Sequence, residues 1–569
     1  MTRHMKWWGW GDEAVSFDHR DKPALAPFVK QAIGIDLDAT PLPLIDLSEL
    51  SIPPAALPDP FADALRAAVG PDHLLTTPLE RIVHAYGKSL RDLVRVRSDD
   101  LGRIPDVVVY PASEAEVVAV LSATLEADAV LIPFGGGTNI VGSLEVAADE
   151  RRPVVSLDLA RMDRVRSIDA ASGIAVVEAG ALGPDIESQL EAHGFTLGHF
   201  PDSFTHSTLG GWIATRSSGM QSDLYGDIAQ ITKAVRVVTP RGTLVTRSVP
   251  ASSTGPSVRE MVLGSEGRLG VITEATVQVH RLPAQRKILG YFFPDWDRGI
   301  AAMTAIAASD AAPSVTRVSD PNETGFSLAT RKAGSAVDRV TSRLLRAYLQ
   351  RAKRFDLSAL CLSFIGFEGS PEHVKRQRSL VGSIVSAHGG VCVGSSPGTL
   401  YDQKKFDTPY IRDYLLDRGA FADVSETATT WSNLRPLYDA VTAAANTAFA
   451  EVGVHGYLMC HLAHSYHSGA CLYFTFAFRP GDDGAPLTQY DTVKHAIQQA
   501  FIDAGGTLSH HHAVGREHAE WLADDLSAPG VEFIAALFEG VDPGRNLNPG
   551  AIIGSDRSPE VTPSPAPGT

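Results

Sequence analysis

Cysteine is scarce in this chain. Four occur in 569 residues, Cys361, Cys392, Cys460 and Cys471, and none falls in a C-x-x-C spacing. That excludes a disulfide framework and a cysteine zinc site, and the four read as buried thiols of a reducing compartment. Long apolar runs are missing as well. No stretch of 18 apolar residues occurs, so no membrane-spanning helix is expected. Residues 1–13 carry basic residues and three tryptophans but no apolar h-region and no small-residue cleavage site, which excludes a secretory signal. A cytoplasmic location, at most peripheral to a membrane, is expected. Excess positive charge is also absent. The net charge of -16 excludes a general nucleic-acid binder, because phosphate backbones require a basic surface, but leaves room for a small anionic substrate. No internal repeat recurs at a fixed period.

The chain is too long for one ordinary domain, so two large units with extensions are expected. Residues 1–101 read as a helical extension, with helical periodicity at 59–69 and 79–93. From residue 104 the pattern becomes strand-turn-helix. Strands are expected at 107–110, 130–133, 154–157, 174–178, 234–238 and 271–280, within one unit at 102–283. A second unit spans 284–500, with strands at 289–293, 359–364 and 472–478. Residues 501–554 return to motif-rich sequence. The Pro- and Ser-rich end, 555–569, is expected to be disordered.

Glycine-rich loops punctuate the first unit. Pro133, Phe134, Gly135, Gly136, Gly137, Thr138 and Asn139 end a strand, and glycine lets main-chain N–H groups approach a phosphate closely. Alone the run is as well explained by a tight turn, and it lacks the G-x-G-x-x-G spacing of a Rossmann fingerprint. It is followed by Asp202, Ser203, Ser207 and Thr208, then by Thr215, Arg216, Ser217 and Ser218, then by Glu266, Gly267, Gly270, Val271 and Ile272. In this order and spacing the segments resemble the flavin domain of the vanillyl-alcohol-oxidase superfamily, the PCMH-type FAD domain. The resemblance implies an α+β, two-domain flavoprotein with a cap domain. It also implies that the glycine loop holds the FAD pyrophosphate and that the later segments contact the rest of the cofactor. No flavin-linking histidine or cysteine pattern is present, so FAD is expected to be non-covalent.

Three consecutive histidines, His510, His511 and His512, point to what such a flavin is used for, since histidine changes charge near neutral pH. Together with Trp8-Gly-Trp-Gly11, Arg103-Ile-Pro-Asp106, Gly198-His-Phe-Pro-Asp-Ser203, Tyr410-Ile-Arg-Asp413 and Gly469-Ala-Cys-Leu-Tyr-Phe474, the triplet resembles the alkyldihydroxyacetonephosphate synthases. These replace the acyl group of acyl-dihydroxyacetone phosphate with a fatty alcohol, giving an ether-lipid precursor without net redox change. The resemblance implies Tyr473 as acid/base, with His510, His511 and His512 forming an active-site loop. Arg412, Arg317 and His199 are implied on the substrate side. A lipid or phosphate-bearing substrate and a homodimer follow from the same likeness. Arginine suits the phosphate, as its fork binds oxyanions bidentately.

Read singly, each residue has a plainer explanation: Tyr473 as a core tyrosine, Arg412 and Arg317 as salt-bridge residues, and His199 as a satisfied core histidine. The segment Cys460-His-Leu-Ala-His-Ser-Tyr-His467 departs from the family, which in animals carries Arg where His461 stands. Hydroxyacid dehydrogenases of the superfamily bind a metal near here. In them a second His stands at the place of Tyr473, and a Glu at that of His511. No metal is assigned, although His461, His464 and His467 leave one open. The alternatives are a FAD-dependent oxidoreductase of a 2-hydroxy acid or alcohol, and a non-catalytic flavin- or lipid-binding protein.

Residues 331–354 are basic in an acidic chain: Arg331, Lys332, Arg339, Arg343, Arg346, Arg351, Lys353 and Arg354 against Asp338 alone. Val337, Val340, Leu344, Leu345, Tyr348 and Leu349 recur at helical spacing. The segment reads equally as a helix lying on anionic lipid or as a solvated face packed on the second unit.

Overall fold

Val107-Val108-Val109 and Val154–Asp158 are buried along their whole length, the pattern of strands covered on both faces. The computed structural model, which describes residues 4–333, 336–404, 406, 408–481 and 486–554, lays them parallel. With β1 (Leu74–Leu75), β2 (Val107–Val109), β3 (Val130–Phe134) and β4 (Val154–Asp158), the first sheet has the order β1-β2-β4-β3. A second, antiparallel sheet follows. It comprises β5 (Val165–Asp169), β6 (Ile174–Glu178), β8 (Thr232–Thr239), β9 (Gly242–Val245) and β10 (Val271–Gln278), in the order β5-β6-β10-β8-β9. The short β7 (Phe195–Thr196) pairs with β11 (His280–Arg281). One apolar core runs through both larger sheets.

The ends of the chain are woven into this unit. Leu74–Leu75 pairs with β2, and Phe61, Leu65 and Val69 of the helix Asp59–Val69 join the same core. At the other end, the Leu131 N–H donates to Asn546 O at 2.7 Å and the Asn548 N–H donates to Leu131 O at 3.0 Å. The helix expected at 79–93 is two helices, Pro78–Val83 and Leu90–Arg97. At Gly87 the backbone between them lies so close to the glycine loop that a Cβ would sit 2.1 Å from Asn139 O. Ser89 then restarts the helix by accepting from the Asp92 N–H at 3.0 Å.

The second unit is a seven-stranded antiparallel sheet. Its strands are β12 (Gln285–Phe293), β13 (Val315–Ser319), β14 (Cys361–Gly369), β15 (Val391–Gly394), β16 (Phe421–Thr430), β17 (Gly456–Ser465) and β18 (Gly469–Phe478), in the order β15-β12-β14-β13-β17-β18-β16. Side chains alternate across it. Leu472, Phe474, Phe476 and Phe478 enter a core shared with the helices Trp296–Ala307, Pro371–Ala387, Leu434–Glu451 and Pro486–Asp503. Tyr473, Thr475 and Ala477 face the first unit across a cavity. Cys361, Cys460 and Cys471 are buried, but Cys392 is exposed because β15 is the sheet's edge. No helix among the described residues is long and apolar enough to cross a membrane. The 555–569 tail and the side chains of Val337, Asp338, Arg339 and Val340 lie outside the described residues.

Phe474 is fully buried where this sheet meets its helices. Phe474→Ala is expected to cost about 3–5 kcal/mol by transfer and cavity terms, read as a lower urea midpoint.

Candidate active site

A cavity of about 350 Å³ separates the two units. Residues 133–139 line one wall, with Asp202, Ser203, Ser207, Thr208, Thr215, Ser217, Ser218, Glu266, Gly267, Gly270 and Ile272. Arg317, Arg412, His461, His464, Tyr473, His511 and His512 face them. The first wall fits a flavin dinucleotide. A Cβ on Gly136 would lie 1.6 Å from His206 O, so only glycine lets the loop press against residues 206–208. Asn548 borders the same wall. Its Nδ2 donates to Ser143 O and Glu266 O at 2.9 and 2.7 Å, whereas its Oδ1 is buried with no hydrogen-bond partner among the described residues. Hydroxyls, bare backbone and an unsatisfied amide oxygen form a set that FAD can complete.

Two residues expected at the flavin stay off the cavity. Arg216 ends the helix Leu209–Thr215 in a left-handed conformation, φ 53°, and its guanidinium pairs with Glu260 at 3.3 Å. Val271 is wholly buried at the start of β10. His199 is also behind the wall. Its Nε2 lies 3.2 Å from Ser217 Oγ and its ring packs on Trp212, and burial pushes the imidazole down to about 4. It stands behind a cavity hydroxyl and does not itself line the cavity.

The histidine triplet is held by a residue with no motif of its own. Glu426, on β16, accepts the backbone N–H groups of His510, His511 and His512 at 2.7, 3.0 and 3.0 Å, and the Ser509 hydroxyl at 2.7 Å. Ala513 follows in a left-handed conformation, φ 74°, and the chain then passes to a second carboxylate. Glu266 accepts from the Val514 and Gly515 N–H groups at 2.9 and 3.0 Å, and from Ser143 Oγ. Glu266 borders the cavity, but its carboxylate is spent on this clamp. Burial pulls the Glu426 carboxyl up. The positive charge of His511, His512 and His510 when protonated in acid, with the His511 N–H, outweighs that pull and holds it well below the usual range.

Strand register puts the neighbours in a row. Glu426 and His461 are the partners of Tyr473 on either side. Tyr473 stacks on His461 at 4.8 Å and on His511 at 6.0 Å between ring centroids. Burial, with Asp202 and Glu426, raises its phenol well above the ordinary value, so it holds its proton at neutral pH. Burial lowers His511 and His512, leaving both rings neutral. Behind them the Tyr466 hydroxyl donates to Asp227 at 2.6 Å and so accepts from His510 Nε2, also at 2.6 Å. Nδ1 of His510 is then an acceptor, and His511 Nδ1, 3.0 Å away, carries the proton. The free base of His511 is therefore Nε2. His510 itself stays off the cavity and acts as the link to Tyr466.

The cationic side is built from Arg317 and Arg412. Arg317 pairs with Glu323 and lies 3.1 Å from His461 Nδ1, and its Nε–H is buried without an acceptor among the described residues. Arg412 donates to Lys88 O at 2.5 Å and to Asp413 at 3.1 Å. Trp10, from the N-terminal arm, also borders the cavity, and its backbone N–H donates to the same Asp413. His461, His464 and His467 do not converge. A bulge at Ala463/Ser465 and a left-handed His464 redirect the strand, leaving His467 exposed at the turn. Glu426, Glu323, Asp227, Tyr466 and Trp10 were not singled out from the sequence. Only Trp10 and Tyr466 had a signal, in the Trp8-Gly-Trp-Gly11 motif and the segment 460–467.

Residues 105–248 match the family described as FAD binding domain, and residues 282–552 match the C-terminal domain of FAD linked oxidases. The chain is 38% identical to the alkyldihydroxyacetonephosphate synthase of Dictyostelium discoideum, over 97% of this chain and 94% of the relative. It is 35% identical to that of Trypanosoma brucei brucei, over 98% and 94%. A solved alkyldihydroxyacetonephosphate synthase superposes with a TM-score of 0.83 at 35% identity, covering 96% of this chain and 98% of the other.

Because folding lowers the Glu426 carboxyl from its ordinary 4.5, its stabilising contribution is complete above that pH and is lost as pH falls towards the folded value. Glu426→Gln is expected to cost on the order of 3 kcal/mol at neutral pH. It should also flatten the acid limb of stability, as measured by thermal denaturation across pH.

Proposed function

The chain belongs to the alkyldihydroxyacetonephosphate synthase family, and we propose that it exchanges the acyl group of an acyl-dihydroxyacetone phosphate for a fatty alcohol. Its cofactor is FAD, which we take to be bound without a covalent link. One observation carries this reading: a single cavity joins the glycine cradle, two arginines, Tyr473 and an apolar arm. The arm is lined by Phe28, Ile33, Phe326, Ile411, Leu415 and Met459, a surface suited to an alkyl chain.

In this reading Arg317 and Arg412 take the phosphate. Both have donors of their guanidinium fork left over after their protein partners are satisfied. FAD, when bound, supplies an electron sink for the carbon next to the ketone, so that no net oxidation is needed. Tyr473 exchanges the proton on that carbon. Its phenol rests protonated, so the proton it accepts from carbon must be matched by one it hands on, and neutral His511 stacked against it offers Nε2 as the acceptor. The fatty acid departs as carboxylate, the alcohol oxygen takes its place, the alcohol proton goes to the histidine loop, and the carbon regains a proton from Tyr473. Glu426 and His510 orient that loop.

We further propose that the basic helix Ala336–Ala347 rests on anionic lipid. Leu344 and Tyr348 are 65% and 45% exposed, one turn apart, beside exposed Arg343 and Arg346, while Leu345 and Leu349 pack inward. A homodimer completes the reading, by likeness to relatives.

Tyr473→Phe is expected to lower alkyl exchange by about 10²–10⁴-fold with the flavin spectrum unchanged. In anaerobic mixing, acyl-dihydroxyacetone phosphate and labelled fatty alcohol should give ether product without lasting flavin reduction. Lasting bleaching by a 2-hydroxy acid, with no ether formed, would overturn the assignment. Co-sedimentation with anionic vesicles should weaken in salt and in an Arg343→Ala/Arg346→Ala variant. Undiminished binding by that variant would remove the helix from the account.

A further inference from the structure

A second group of metal-type side chains lies outside this cavity. His4 comes from the N-terminal arm, His84 from the end of the helix Pro78–Val83, and Asp158 from the end of β4. His84 Nε2 is 3.0 Å from Asp158 Oδ2, and His4 Nε2 is 3.8 Å from the same oxygen. All three ligand atoms lie within 4.8 Å of one another. Tetrahedral zinc with bonds near 2.0–2.1 Å sets neighbouring ligand atoms about 3.3 Å apart, so His84 and Asp158 stand near ligand spacing and the His4 ring has to close on them.

Hydrogen-bond accounting then asks for a cation. His84 Nδ1 is 2.7 Å from Glu80 O, a carbonyl that can only accept, so Nδ1 carries the proton. Nε2 then faces Asp158 Oδ2, an acceptor, in a pair with no exposed side-chain surface, so a proton or a metal ion has to stand between them. A proton could bridge two acceptors, but here further atoms converge. His4 Nε2 lies 3.0 Å from the Tyr110 hydroxyl, which is also 3.5 Å from His84 Nε2 and donates to Glu80 at 2.7 Å. An imidazole whose far nitrogen is fixed by a backbone carbonyl is the usual second shell of a metal ligand. Asp158 Oδ1 is fixed likewise, accepting from the Ala160 N–H at 2.7 Å.

We infer that His4, His84 and Asp158 form a binding site for a divalent transition metal of the zinc class, which pins the N-terminal arm to the first unit. Two imidazoles and a carboxylate are a borderline-soft set that suits zinc, with the Tyr110 oxygen or a water as fourth ligand. The His4 side chain, 18% exposed, marks the side of entry. The pin has a bearing on the cavity. Phe134 of the glycine loop packs against both rings, at 4.2 Å from His84 and 6.4 Å from His4 between centroids, and the pinned arm carries Trp10 to the cavity wall.

The test uses full-length, FAD-loaded protein stripped with chelator, incubated with Zn²⁺, desalted and assayed for zinc by mass spectrometry. On the order of one tightly held zinc per chain is expected, with slower hydrogen exchange in the arm that EDTA reverses. His4→Ala should lose that zinc, as should His84→Gln. His511→Ala should keep it, which separates this site from the Glu426, Cys471, His510 and His511 group. No zinc on the wild-type protein, or equal zinc on His4→Ala, would overturn the inference. Neither result bears on the transferase reading, since no substrate is involved.

Discussion

The active site depends on two buried carboxylates that share one stretch of backbone. Glu426 gathers the N–H groups of three successive histidines, and Glu266 gathers the next two beyond Ala513. One belongs to the cap sheet and the other to the flavin unit, so the loop is stretched between the two halves it must serve. Buried charges persist where hydrogen bonds satisfy them, and a run of aligned N–H groups does so without placing a countercharge in the cavity. His511 and His512, lowered by burial, can therefore remain neutral, and His511 keeps Nε2 for proton transfer.

Cations and acids share the cavity, where Arg317 and Arg412 stand with Asp202, Glu266 and Asp423. In a protein of net charge -16, Arg317 and Arg412 border the cavity, and each is restrained by a neighbouring carboxylate, Glu323 or Asp413. Burial raises Glu323, but His461 and Arg317 more than compensate and bring it down to about 2. His461 thus shares an acid with Arg317.

Much of this was legible in the sequence because the period of the side chains carries it. The apolar alternation at 472–478 announced a half-buried strand, and the same alternation sends Tyr473 to the cavity. The helix at 59–69 was legible from its apolar spacing. The interruption at 84–89 was not, because it is imposed by close contact with Asn139, far away in sequence. Glu426 was hidden for a similar reason. Within Phe421–Thr430 an acid reads as an exposed strand position, and only the register with Tyr473 and the approach of the 509–515 loop give it partners. Whether His461, His464 and His467 converge was also not legible, because a bulge and a left-handed His464 redirect the strand before His467.

The strap formed by residues 546–548 also sets an order of assembly. Asn548 reaches Ser143 across 405 positions of chain, and its backbone closes on Leu131 in the strand that feeds the glycine loop. Contacts so distant in sequence close late, after local helices and hairpins have formed. The cradle is therefore synthesised early and finished last. Until the strap arrives, the glycine loop lacks one of its walls. A chain without residues 546–548 would lose the amide that braces Ser143 and Glu266 beside the glycine loop, and with it one wall of the cradle.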